Sequence, residues 1–254
     1  MVFLSIVIPA FNEERRLPKT LNQIIGYLAG SRPNARATNT EILVVDDGSS
    51  DATAETVARI ARLHPQVGLL RNSGNRGKGY SVRHGMLHAK GEWILFTDAD
   101  LSAPIEELEK LFRAAEKQEA AVAIGSRALD RKLIGVHQSW ARENAGRVFN
   151  LCMRAIVGLN LWDTQCGFKL FRRDAARAVF SRQRLDGFGF DVEALYIAHR
   201  LGYKIAEVPV RWNHVEGTKV DLFGDSARMF ADLFRIRWNA IRGRYSQCDT
   251  GACA

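Results

Sequence analysis

Through the first half of the chain, short apolar runs alternate with segments of helical period, and this alternation limits the possible folds more than any other feature. Phe3–Pro9, Glu41–Val45, Val67–Arg71, Trp93–Thr97 and Ala121–Gly125 read as strands. Between them the pattern predicts a helix from about Leu17 to Leu28. A second is predicted from a Ser50 or Asp51 cap to Leu63, with Glu55 in its first turns, and others over 80–89 and from Pro104 to Gln118. Residues 30–40 have loop composition. Strands separated by helices imply an α/β fold, a parallel sheet covered by helices on both faces.

The second half is less regular. Helical segments are expected at 139–157, 174–180, 190–201 and 224–242, with an apolar stretch Cys166–Phe171 and a strand Ile205–Val210. No linker interrupts the chain, so one domain is expected over 1–245, with a regular first half at 1–126 and a less regular second half at 127–245. The small, polar tail 246–254 is expected to be disordered.

Other function classes recede on composition. No run approaches the roughly eighteen apolar residues of a membrane span. The apolar opening Met-Val-Phe-Leu-Ser-Ile-Val-Ile-Pro lacks a basic leader, so it reads as a buried first strand and a cytoplasmic protein is expected. Cys152, Cys166, Cys248 and Cys253 fit neither a zinc pattern nor a disulfide framework. The net charge of +8 favours anionic partners such as phosphates or lipid headgroups.

In an open α/β sheet, ligands bind beyond the carboxyl ends of the strands, and four such ends carry chemistry here. Trp93-Ile-Leu-Phe-Thr delivers Asp98 and Asp100, whose hard oxygens suit Mg²⁺ or Mn²⁺ shared with a substrate phosphate. Pro9-Ala-Phe-Asn-Glu-Glu14 offers hydrogen-bonding groups to a base or ribose, or is simply a strand-to-helix turn. Leu43-Val-Val-Asp-Asp-Gly-Ser-Ser-Asp51 offers Asp46 or Asp47 in the same way, with Asp51 a helix cap. Gly74-Asn-Arg-Gly-Lys-Gly79 combines backbone access with Arg76 and Lys78. It matches neither the dinucleotide fingerprint nor the phosphate loop of P-loop NTPases.

Placed in this order and spacing, these motifs resemble the catalytic domain of family 2 inverting glycosyltransferases. That resemblance implies a GT-A fold, a Rossmann-like, mostly parallel sheet flanked by helices on both faces, with a nucleotide-sugar donor and a divalent metal. It extends to about residue 220 through Gly125-Ser-Arg127, Asp163-Thr-Gln-Cys-Gly-Phe-Lys169 and Phe188-Gly-Phe-Asp-Val-Glu193, and narrows to the polyprenyl-phosphate hexosyltransferases, the dolichyl-phosphate β-glucosyltransferases in particular.

By this resemblance, Pro9, Phe11, Glu13, Asp46, Asp47, Arg76, Lys78 and Ala99 join Asp98 and Asp100 around the nucleotide sugar, with the two last on the metal. Ser102, Arg127, Arg142, Gln165, His214 and Lys219 fall on the acceptor side, and Asp100, Arg127 and Asp191 carry the catalytic roles. Related mannosyltransferases usually carry Gln where Ser102 stands, which tilts the donor toward UDP-glucose over GDP-mannose.

The implied reaction moves glucose to a polyprenyl phosphate. The alternatives are mannosyl transfer from GDP-mannose and transfer to a non-lipid acceptor. A phosphate acceptor needs no general base, whereas an alcohol would call on Asp191 or Asp163. A nucleic-acid partner is not expected, and a homo-oligomer is compatible with the chain. Arginines interleaved with apolar residues at 139–157 and 224–242 suit peripheral contact with the cytoplasmic face of a membrane, or core packing with snorkelling arginines.

Overall fold

The computed structural model describes residues 2–30, 39–136, 140–215 and 224–246. The strands are β1 (Leu4–Ala10), β2 (Thr40–Asp46), β3 (Val67–Arg71), β4 (Trp93–Thr97), β5 (Val122–Ser126), β6 (Ile134–Val136), β7 (Phe168–Arg172), β8 (Ile205–Pro209) and β9 (Trp212–Asn213). The α-helices are α1 (Leu17–Gly30), α2 (Thr53–Leu63), α3 (Lys78–His88), α4 (Leu108–Gln118), α5 (Trp140–Val157), α6 (Arg173–Phe180), α7 (Phe190–Arg200) and α8 (Gly224–Ile241). A 3-10 turn, Ile105–Glu107, leads into α4 where a helix from Pro104 is expected.

Seven strands form one sheet in the order β3-β2-β1-β4-β7-β5-β8. The chain runs outward from β1 through β2 to β3 and then returns to place β4 on the other side of β1. The order therefore reverses between β1 and β4, the position at which such sheets open a crevice. Alternate residues along each strand feed separate cores. Val7, Ile94, Phe96, Val122 and Ile124 pack with α3, α5, α6, α7 and α8. Ile6, Ile8, Leu95, Ala123 and Leu170 pack with α1, α2 and α4. This two-sided burial explains why the strands read as continuous apolar runs.

The parallel pattern has one interruption. Strand β7 runs antiparallel to both β4 and β5. The connection leaving β5 passes through β6 and α5 and comes back to the edge it left, so β7 must enter the sheet from that edge. Gly167 thereby meets Asp98 at the end of β4, whose backbone N–H donates to the Gly167 carbonyl at 3.2 Å. A second small sheet pairs β6 with β9 in parallel. It places the 211–215 segment beside the β4 loop, where the Asn213 N–H donates to the Ser102 carbonyl at 2.8 Å.

Candidate active site

The loops after β1 and β2 are stitched together before any ligand arrives. Asn12, at a left-handed φ of 54°, accepts the Ser50 N–H at 2.8 Å through its side-chain carbonyl. Its own N–H donates to Ser49 Oγ at 2.9 Å, and the Glu13 N–H donates to Thr53 Oγ1 at 2.8 Å. Glu13 stays partly accessible beside Arg16, 3.4 Å away. Pro9 is buried at the end of β1 opposite Val45, and Phe11 is half-buried just beyond it.

Both acids ending β2 are buried and engaged. Asp46 accepts the Ser49 N–H at 3.1 Å and Arg71 Nε at 3.3 Å. Asp47 accepts the backbone N–H groups of Arg76 at 2.9 Å and Gly77 at 2.8 Å, together with Asn72 Nδ2 at 2.7 Å. Asp47 is thus the brace of the glycine-rich loop. The pull on the Gly77 N–H sets the start of α3, so that helix begins at Lys78 rather than at residue 80. Arg76 remains exposed, its guanidinium 4.6 Å from the Tyr80 ring.

Lys78, in the first turn of α3, sends its ammonium back across the crevice to Asp98 Oδ1 at 2.6 Å. The rings of Phe96 and Phe188 flank it at 5.6 and 5.8 Å. Burial works against its charge, but Asp98, Asp191 and Asp100 hold its proton affinity above that of an ordinary lysine. Asp100 accepts the Ser102 N–H at 2.9 Å. Burial, and next the negative charge of Asp98, push its carboxyl above the usual carboxylate range. Two hard oxygen donors of like charge at one strand end are relieved by a cation, so Asp98 and Asp100 fit Mg²⁺ or Mn²⁺ as its protein ligands. Ala99 between them is buried, its carbonyl accepting Thr20 Oγ1 at 2.6 Å. Leu101 adopts a φ of +48°, a conformation disfavoured for a residue with a Cβ.

Two further ion pairs line the β7 side. Arg127 holds Asp163 in a bidentate fork, Nε to Oδ2 at 2.7 Å and Nη2 to Oδ1 at 2.8 Å, and its backbone N–H adds a third bond at 2.9 Å. Burial opposes the Asp163 charge, yet Arg127 holds this carboxyl below its ordinary range. Lys169 is buried on β7, pairs with Asp191 at the start of α7, and donates to the Cys166 carbonyl at 2.7 Å. Burial outweighs both lysines and leaves the Asp191 carboxyl raised.

The structure therefore brings Glu13, Asp46, Asp47, Lys78, Asp98, Asp100, Arg127 and Asp191 to the carboxyl edge of the sheet. Ser102 and His214 border it, the latter through its N–H on the Val136 carbonyl at 3.1 Å and its ring stacked 6.0 Å from Trp212. Gln165 follows Asp163 and reaches Met229 of α8 at 3.8 Å. Arg142 lies in the first turn of α5 with its side chain outside the described residues; Lys219 and the tail 247–254 also lie outside them. Sequence reasoning gave no role to Lys169 or Gly167. A lysine inside the apolar run Phe168-Lys-Leu-Phe was the available signal, because a lysine in a two-sided core strand requires a partner.

Comparison with known proteins shows the family and the fold. Residues 5–180 match the model of Glycosyl transferase family 2. A dolichyl-phosphate beta-glucosyltransferase of Trichomonas vaginalis is 38% identical over 243 residues, covering 92% of this chain and 73% of the relative. That of Dictyostelium discoideum is 35% identical over 249 residues, covering 95% and 76%. Among solved structures, glucosyl-3-phosphoglycerate synthase from Mycobacterium tuberculosis in complex with Mn²⁺, UDP-glucose and phosphoglyceric acid superposes with a TM-score of 0.64. It is 18% identical, over 98% of this chain and 82% of that one. The shared architecture is the GT-A fold.

Proposed function

Because the chain belongs to glycosyl transferase family 2, we propose that it is a metal-dependent, inverting glucosyltransferase acting from UDP-glucose onto a polyprenyl phosphate of the dolichyl type. One observation carries the choice of acceptor. Asp163 has both oxygens on Arg127, and Asp191 is paired with Lys169. Neither carboxylate is poised as a general base, which an alcohol acceptor requires and an anionic phosphate does not. The glucosyltransferase relatives are named for a dolichyl-phosphate acceptor, and Ser102 stands in place of the glutamine of mannosyl enzymes.

In this reading the loops at 9–13 and 46–51 receive the nucleoside, with Glu13 the accessible acid. Asp98 and Asp100 would hold Mg²⁺ or Mn²⁺, which neutralises charge on the departing diphosphate. Lys78 adds a fixed ammonium beside the same carboxylates. Arg127 has more N–H donors than Asp163 takes, so its guanidinium can also meet the acceptor phosphate. Arg142, Gln165, His214 and Lys219 complete that side. An oxygen of the acceptor phosphate attacks the anomeric carbon as the bond from that carbon to the diphosphate oxygen breaks, giving inversion and UDP. The residues act by position and charge, with no proton to remove.

The test is incubation of the pure protein with Mn²⁺ or Mg²⁺, a short polyprenyl phosphate, and UDP-glucose or GDP-mannose separately. Lipid-linked glucose from UDP-glucose alone is the expected result. Product from GDP-mannose alone overturns the donor. Binding of UDP-glucose with no lipid product overturns the acceptor.

A further inference from the structure

We propose that His84 and His88 of α3 form a second metal site, for a borderline divalent ion such as Zn²⁺, Ni²⁺ or Cu²⁺, apart from the carboxylates Asp98 and Asp100. The site goes beyond glycosyl transfer and depends on neither the donor nor the acceptor. Two histidines four positions apart lie on the same face of a helix, one turn above the other. Their ring centres are 4.6 Å apart, with the planes at 82°. An ion about 2.1 Å from Nε2 of each ring sits about 3.2 Å from each ring centre, so two rings about 90–110° apart around it have centres about 4.6–5.3 Å apart. The observed spacing falls at the near end of that range.

The hydrogen bonds of the two rings fix which nitrogen is left for an ion. Asn72 Nδ2 donates to Asp47 Oδ1 at 2.7 Å and to Ser81 Oγ at 2.9 Å, so Asn72 Oδ1 is an acceptor. His84 Nδ1 lies 2.8 Å from that oxygen and therefore carries the proton. His88 Nδ1 lies 2.8 Å from the His84 carbonyl, which can only accept, so it carries a proton too. In each neutral ring the lone pair is then on Nε2. One ring N–H given to a carbonyl, with the other nitrogen turned to the ion, is the arrangement found around metal-bound histidine. Burial, and next the neighbouring His88, hold the proton affinity of His84 below that of an ordinary histidine, which keeps the ring neutral and able to ligate. His88 is exposed, so an ion reaches the pair from solvent. Among the described residues no group of three His, Cys, Asp or Glu side chains surrounds a metal position, so water completes the shell. Imidazole suits Zn²⁺, Ni²⁺ and Cu²⁺, whereas Mg²⁺ and Mn²⁺ prefer carboxylate oxygen. The pair also connects to the donor side. An ion on His84 makes its Nδ1–H a stronger donor to Asn72, and Asn72 braces Asp47, which holds the Arg76 and Gly77 N–H groups.

The experiment titrates the full chain with Zn²⁺ or Ni²⁺ against a chelating indicator, in excess Mg²⁺ to occupy the carboxylates. It compares wild type with His88→Ala and with the double variant Asp98→Asn, Asp100→Asn. Wild type is expected to bind one ion. His88→Ala, a change at an exposed position that leaves the fold intact, should bind it at least about tenfold more weakly. The double variant should bind it as tightly as wild type. The spin-resonance spectrum of added Cu²⁺ should show two imidazole nitrogens in wild type and lose that signature in His88→Ala. Zn²⁺ should raise the thermal midpoint of wild type and leave that of His88→Ala where it is. The proposal is overturned if wild type takes up no ion in the presence of Mg²⁺, or if His88→Ala binds as tightly as wild type. Loss of the ion in the double variant also overturns it, by assigning the ion to Asp98 and Asp100.

Discussion

The ammonium of Lys78 lies 2.6 Å from Oδ1 of Asp98, joining the first turn of α3 to the end of β4 across the crevice. A cation thus already stands beside the carboxylates proposed to hold the metal and the donor diphosphate. Lys78→Met is expected to raise the KM for the nucleotide sugar by about tenfold or more, the loss of one charge-assisted contact. Steady-state kinetics at fixed metal concentration check this, and an unchanged KM removes Lys78 from the donor site.

Asp100 accepts a bond from the Ser102 N–H but carries no described structural ion pair comparable to that of Asp163. Asp100→Ala is therefore expected to abolish transfer, by about a hundredfold or more, while the thermal midpoint moves little. Titration of Mn²⁺ against the variant with UDP present should show the weakened site directly. Normal turnover refutes the metal assignment.

Gly167 shows how the antiparallel β7 fixes the position of Asp98. A Cβ built there would lie 2.0 Å from Asp98 Oδ2. Gly167→Ala must push that carboxylate aside, and a displacement of about 1 Å at a catalytic group is enough for about a hundredfold loss of kcat. The unfolding free energy from urea titration should fall by about 1–3 kcal/mol for the overpacked site. A fully active Gly167→Ala enzyme would show that Asp98 tolerates displacement.

Part of the fold and of the site is legible in the sequence, and part depends on tertiary context. The strands at 67–71 and 93–97 have the boundaries their sequence implies: Trp93–Thr97 is an apolar run buried from both sides, and the half-buried edge strand Val67–Arg71 is delimited by His64-Pro65 before it and Asn72-Ser-Gly74 after it. The direction of β7 was not legible, since orientation depends on where the chain re-enters the sheet and not on local pattern. Strands as short as Ile134–Val136 and Trp212–Asn213 carry no period to read. The acids at 46, 47, 98 and 100 stood out by their place at strand ends. What the charged groups touch is not legible there: Asp47 is committed to the Arg76 and Gly77 backbone, and Lys169 on β7 reaches Asp191, which lies on α7, 22 positions further along the chain.

Asp191 separates the two acceptor classes. Asp191→Asn should lower kcat by releasing Lys169, yet leave the acid limb of the kcat/KM profile in place, because a phosphate acceptor asks for no base. Loss of that limb, with activity recovered at high pH, would identify Asp191 as a base and favour an alcohol acceptor.

Glu107 contributes a pH-dependent share of the stability. Its buried carboxylate takes Arg211 Nε at 2.5 Å, the Arg211 N–H at 3.1 Å and Lys110 Nζ at 2.6 Å, tying the segment after β8 to the start of α4. Burial pushes the carboxyl up, but the bonds from Lys110 and Arg211 prevail and hold it below the ordinary glutamate value. A depressed folded-state pKa gives stability that is fully present above the unfolded value and is lost as pH falls through the folded one. Glu107→Gln should therefore cost about 1–3 kcal/mol near neutrality. The gap to wild type should then close on acidification, because protonation removes from the wild type the charge that the variant already lacks. Urea midpoints measured across the acid range test both points, and a gap that stays constant with pH would show that the bonds act through shape and not through charge.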